Sequence, residues 1–176
     1  MRAQVDCGAG YWCAAGATST TACPAGTSSP ALRAGSAAAC ALCPSGKYCA
    51  GEAQTVPTGD CAAGSFCKAG ATKASYTAAE TTANYGTCPI DHYCVVATGD
   101  PVHCGDGKWS EGNTGLPALA SCSLCPAGQY CDSTSTVPQP TGLCQEGFYC
   151  LAGSSVPAPE ATPCSAGHFC PTGSPV

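Results

Sequence analysis

The sequence predicts a small disulfide-rich repeat, an elongated rod with little regular secondary structure and short β pairings. Three observations predict it. Eighteen of the 176 residues are cysteine. Most of them fall into one recurring pattern: Cys, two residues, Gly, one residue, an aromatic, Cys. The intervals between cysteines also recur as a set along the chain.

The pattern stands at Cys7–Cys13, Cys43–Cys49, Cys61–Cys67, Cys88–Cys94, Cys125–Cys131, Cys144–Cys150 and Cys164–Cys170. Its aromatic slot holds Trp12, Tyr48, Phe66, Tyr93, Tyr130, Tyr149 and Phe169, seven of the chain's twelve aromatics. The fourth position is Gly except at Asp91, and Asp tolerates a left-handed backbone better than most residues. Each copy therefore reads as a tight turn at positive φ with a ring packed beside sulfur. Two further copies, starting at Cys23 and Cys104, carry Ser29 and Ser110 where the second cysteine belongs. Each is followed by an extra cysteine, Cys40 or Cys122. This accounting pairs Cys23 with Cys40 and Cys104 with Cys122.

From Cys7 the intervals run 6, 10, 17, 3, 6, 12, 6, and from Cys88 they run 6, 10, 18, 3, 6, 13, 6. A period of this kind is the signature of a repeat architecture in which each unit touches its neighbours. It predicts one eight-cysteine super-repeat over 7–87, a second over 88–163, and the start of a third, truncated, over 164–176.

Composition supports the same class. Leu, Ile, Val and Phe together supply only 19 residues, too few for one ordinary core. Cystines take its place, so a secreted or extracellular protein is expected. The formal charge is −5 and the six basic residues are scattered, which argues against nucleic acid or an anionic membrane as partner. No apolar run reaches the length of a membrane span. Residues 1–6 lack the apolar stretch of a signal peptide, so the chain is expected to be part of a longer precursor.

The spacers are rich in Thr, Ser, Pro, Gly and Ala, residues of turns and extended chain. The Ala-rich stretch 72–84 is the one candidate for a short helix. Thr18, Ser19, Thr20, Thr21, Ser133, Thr134, Ser135, Thr136, Ser154 and Ser155 are candidate O-glycan acceptors. Asn84 and Asn113 are not in N-glycosylation sequons.

No cofactor, metal or catalytic residue is expected. Cys40-x2-Cys43 and Cys122-x2-Cys125 look like half zinc knuckles, but they sit inside an even, disulfide-like repeat. His92 and His168 share a variable turn slot and His103 stands alone, so all three are read as solvated. The acidic residues are isolated and no thiol is left over, so no nucleophile–base set is visible. One feature differs between the super-repeats: Trp109, in Lys108-Trp109-Ser110-Glu111, has no counterpart in Thr27-Ser28-Ser29-Pro30. Trp109 is the candidate contact residue.

The unit Cys125-Pro-Ala-Gly-Gln-Tyr-Cys131, with its Thr/Ser/Pro spacers, resembles the ephrin-receptor-like cysteine-rich repeats, found in arrays in protist and algal surface proteins and in mastigonemes. Cys23–Cys67 and Cys104–Cys150 more distantly resemble tumour necrosis factor receptor cysteine-rich domains, from which Ser29 and Ser110 depart. Two disulfide schemes stay open. In one, every Cys-x5-Cys copy closes on itself. In the other, implied by the receptor resemblance, neighbours interlock as Cys43–Cys61, Cys49–Cys67, Cys125–Cys144 and Cys131–Cys150. The resemblances imply a non-enzymatic extracellular protein. The expected role is a stretch of a structural array that self-associates head to tail into a filament, flagellar hair or surface coat. The alternative is a receptor or adhesion ectodomain with a protein ligand.

Overall fold

The computed structural model describes residues 6–133 and 139–175. It is a disulfide-rich repeat with little regular secondary structure, and no helix among the described residues is long and apolar enough to cross a membrane. The chain divides into two compact units, Met1–Thr87 with Val95–Asp100 and Cys88–Cys94 with Pro101–Val176. Val95–Asp100 belongs to the first unit because the Ala97 N–H donates to the Cys61 carbonyl (2.9 Å) and the Cys67 N–H to that of Thr98 (3.0 Å).

Each motif opens with a four-residue turn. In Cys43–Cys49 the Lys47 N–H donates to the Pro44 carbonyl, with Gly46 at φ 81° in the third position. The same turn forms in all nine copies, with N···O distances of 2.9–3.3 Å. A turn with positive φ at its third residue needs Gly or a short polar substitute. Asp91, at φ 58°, is that substitute.

The residues after each turn pair with the two or three just before the next motif. Among the described residues this gives seven two-stranded antiparallel ribbons. Lys47–Tyr48, for example, pairs with Gly59–Asp60 in the register Lys47↔Asp60 and Tyr48↔Gly59. The strands thus join one motif to the next rather than closing within a copy.

Three further backbone bonds repeat in register, all of 2.8–3.0 Å. The first cysteine of a motif donates its N–H to the turn carbonyl of the motif before, as Cys61 does to Gly46 and Cys144 to Gly128. The turn Gly donates its own N–H to the second-cysteine position of the motif after, as Gly46 does to Cys67, Gly128 to Cys150 and Gly10 to Ser29. The first-cysteine carbonyl accepts from a residue shortly beyond the next motif: Cys7 from Arg33, Cys23 from Ala53, Cys43 from Gly70, Cys125 from Gly153. These donors also have positive φ, and Arg33, Ala53 and Ala97 adopt it without being Gly.

The turn Gly has a second reason to lack a side chain. A Cβ on Gly26 would stand 2.5 Å from the Gly70 carbonyl oxygen, and one on Gly128 the same distance from that of Gly173. Gly10, Gly46 and Gly107 face the carbonyls of Ala53, Ala97 and Gly153 in the same way. Each of these turns therefore lies flush against backbone from two motifs further on.

Cystine fills the interior. Cys23, Cys43, Cys49, Cys61, Cys67, Cys88, Cys94, Cys125, Cys131, Cys144 and Cys150 are all fully buried. Ser29, which occupies a second-cysteine position, joins them at 0% exposure. Tyr48 and Tyr85 pack against a cluster of Cys61, Cys67, Ala71 and Tyr76, and Tyr93 packs against Cys104, Leu116 and Cys122. Phe169, at 75% exposure, does not follow the pattern of a ring packed on sulfur.

The stretch 72–84 forms only one turn of 3₁₀ helix, Ala78–Glu80. Its backbone is committed elsewhere. The Thr72 and Lys73 N–H groups both donate to the Tyr76 hydroxyl (3.1 Å each), and the Tyr76 ring stacks on Tyr85 at 4.7 Å. The Glu80 carboxylate accepts from Lys73 Nζ and from the Thr77 N–H and hydroxyl. The Lys73 hydrogen bond first, then those from Thr77, lower the Glu80 pKa from 4.5 to about 2.

Two outcomes are expected. Gly128→Ala should lower stability by about 2 kcal/mol or more, since it adds left-handed strain to a backbone overlap, and the thermal midpoint of the oxidised protein checks this. Glu80 is depressed in the folded state, so its contribution is present above pH 4.5 and is lost as pH falls through about 2. Carboxyl-carbon NMR should show Glu80 ionised at pH 3.5, and Lys73→Met should move its midpoint upward.

Candidate functional site

All eighteen cysteines are paired and none is free. The bonds are Cys7–Cys13, Cys23–Cys40, Cys43–Cys49, Cys61–Cys67, Cys88–Cys94, Cys104–Cys122, Cys125–Cys131, Cys144–Cys150 and Cys164–Cys170, with Cα separations of 5.4–6.1 Å. The interlocked scheme is not the one adopted. The turn already brings the two ends of each motif within bonding range, and hydrogen bonds, rather than sulfur, join neighbouring motifs. Cys40 and Cys122 are bonded to Cys23 and Cys104, so neither Cys-x2-Cys step offers a thiolate to zinc.

Ser29 and Ser110 are buried with hydroxyls that have no partner. The backbone of Ser29 makes the bonds that the missing cysteine would make, and that of Ser110 is held differently. Ser29 donates its N–H to Gln54 and accepts from Gly10. Ser110 donates its N–H to the Asp91 carboxylate at 2.8 Å, so the one non-Gly turn residue adds a side-chain bond to the next motif.

The histidine expectation needs correction. His92 and His103 lie directly opposite each other across a ribbon, edge to face, with ring centroids 5.1 Å apart. His92 Nδ1 lies 2.8 Å from the Ile90 carbonyl and His103 Nδ1 accepts the Gly105 N–H. Both are half-buried rather than solvated, while His168 is exposed. No group of three or more His, Cys, Asp or Glu side chains suited to a metal occurs among the described residues.

Thr18, Ser19, Thr20 and Thr21 are exposed, as is Ser133. Ser154 and Ser155 are half-buried, and the Ser154 hydroxyl donates to the Leu151 carbonyl at 2.8 Å. Thr134, Ser135 and Thr136 lie outside the described residues.

Trp109 is half-buried, not fully exposed. The backbone of Lys108-Trp109 does have a counterpart: it pairs with Ser123–Leu124 in the register by which Thr27–Ser28 pairs with Ala41–Leu42. The novelty is the side chain, which forms one wall of a groove of about 570 Å³. Gln129, Gln139 and Leu143 line it on a frame of Pro126, Pro140, Thr141 and Gly142. The Gln129–Tyr130 ribbon with Gly142–Leu143 sets that frame, with the Tyr130 ring over Gly142. The Thr141 hydroxyl accepts the Asp132 N–H at 2.9 Å.

The first super-repeat repeats this frame with Pro44, Pro57, Thr58 and Gly59. There too the Tyr48 ring lies over Gly59, and the Thr58 hydroxyl accepts the Ala50 N–H at 2.9 Å. Where the groove has Trp109, Gln129, Gln139 and Leu143, the first super-repeat has Ser28, Lys47, Val56 and Asp60. Lys47 and Asp60 meet in an ion pair at 2.5 Å. Trp109 is visible as an oddity in the sequence. The coordinated loss of Lys47 and Asp60 becomes a signal only when the two super-repeats are aligned.

No protein-family model matches the chain, and a search of the curated proteins found no match.

Ser29→Cys should restore the complete motif and create a contest for Cys23. We expect Cys23 to bond the introduced thiol at position 29 in a substantial fraction of molecules, with Cys40 released as a labelable thiol. Disulfide mapping that found only Cys23–Cys40 would contradict the reading of Ser29 as a vacated cystine position.

Proposed function

We propose that this chain is a stretch of a structural, non-catalytic repeat array that builds a filament, appendage hair or surface coat outside the cell. Nine disulfides in 176 residues make it a disulfide-rich protein of an oxidising, extracellular type. The finer reading rests on one observation. Successive motifs within each unit share a fixed set of backbone hydrogen bonds, in one register, independent of spacer sequence. Such a contact can be repeated without limit, because heterologous contacts that do not close into a ring propagate as a fibre. Glycans on the exposed Thr18–Thr21 tract would shield a backbone that has little apolar cover.

The test is the assembly state of oxidised protein over a rising concentration series, by sedimentation and negative-stain electron microscopy. Ordered fibres that dissolve on reduction are the expected result. A monomer at every concentration, with no fibre on the grid, would sink the reading.

A further inference from the structure

We propose that the groove walled by Trp109 is a binding site for a neutral saccharide. Its volume, about 570 Å³, is within the roughly 300–1,000 Å³ of small-molecule sites. No ionisable side chain lines it, so neither an anionic nor a cationic ligand finds a counter-charge. Among the described residues, no hydrogen bond engages the side-chain amide of Gln129 or of Gln139. A wholly apolar ligand would strip water from both and leave them unpaired, at about 1–3 kcal/mol each.

The remaining chemistry has an apolar face for the indole and Leu143, with hydroxyls at its rim. A carboxamide both donates and accepts, and so does a hydroxyl. A proline-rich peptide is the rival that also suits an aromatic groove. However, proline lacks an N–H, so such a peptide offers few donors to the amide oxygens of Gln129 and Gln139, whereas each sugar hydroxyl is one.

The internal comparison supports the assignment independently. The four frame residues are the same in both super-repeats, as the fold requires. The four that differ remove both charges: an ion pair and a serine give way to an indole, an amide and a leucine, and Val56 to a second amide. The first super-repeat therefore serves as a natural blank, with the same backbone and no groove chemistry.

The experiment uses the full oxidised chain with Trp12→Phe, leaving Trp109 as the only indole. Gluco-, manno- and galacto-configured neutral trisaccharides are titrated against its emission, with calorimetry in parallel. At least one should give a saturable signal. Trp109→Ala should weaken binding at least tenfold. The double substitution Gln129→Lys with Leu143→Asp should do the same while keeping the fold, since it installs the Lys47–Asp60 pair that already folds in the first super-repeat. Glycan-free and glycan-bearing preparations are compared. Binding by both supports a free saccharide as ligand. Binding by the glycan-free form alone supports a sugar carried by the protein as ligand. The proposal is overturned if no trisaccharide binds either preparation, if the double variant binds unchanged, or if a proline-rich peptide titrates Trp109 and the sugars do not.

Discussion

A backbone short of apolar side chains must still satisfy its N–H and C=O groups, and here each motif does so through the next. The turn residue between Cys43 and Cys49 gives its N–H to Cys67 and its carbonyl to Cys61. The Cys43 carbonyl takes the Gly70 N–H. An unpaired buried backbone group is expensive, so a motif bonded in this way does not reach its final state without the motif that follows. Disulfides close the seven complete motifs, Cys23 and Cys104 reach instead to Cys40 and Cys122 in the lead-in to the next motif, and hydrogen bonds bind one motif to another. No disulfide joins one complete motif to another, which is why the interlocked cystine scheme is unnecessary.

This division explains the two roles of glycine. Positive φ alone would admit Asn or Asp, and Asp91 shows it. Gly26 and Gly128 also lie against carbonyls two motifs away, where no Cβ fits. Ser29 and Ser110 make the complementary point. Ser29 keeps the backbone contacts of a cysteine after its sulfur is gone, and Ser110 is tied to the motif before it by the Asp91 carboxylate instead, so both stay anchored without the staple.

Much of this was legible in the sequence. The turn at each Gly, the short pairings and the compact cysteine units follow from spacing and from the φ that the turn demands. What spacing leaves open is direction. The ribbon could have closed within a copy, and only the structure joins Tyr48 to Gly59 in the lead-in to the next motif. The stretch 72–84 has helical composition, yet the Thr72 and Lys73 N–H groups go to the Tyr76 hydroxyl and those of Tyr76 and Thr77 to Ser65 and Glu80, so propensity gave way to side-chain acceptors. His92 occupies a variable slot of its motif and His103 lies in a spacer, so nothing in the sequence links them, and ribbon register alone brings them together. The groove was half visible: Trp109 stood out, but the loss of the Lys47–Asp60 pair acquires meaning only once those side chains are known to face each other.

The six-residue separation within seven of the nine disulfides bears on how such a chain is made. Eighteen thiols admit an enormous number of pairings, and a long cysteine-rich polypeptide emerging into an oxidising compartment ought to scramble. Here each partner arrives within a few residues of translocation, at an effective concentration that distant thiols cannot match. The Cys23–Cys40 and Cys104–Cys122 loops wait longer, but the complete motifs before them are already closed and have withdrawn their sulfurs from competition. Synthesis order then enforces fidelity, and such an array could lengthen by duplication without its oxidation becoming harder.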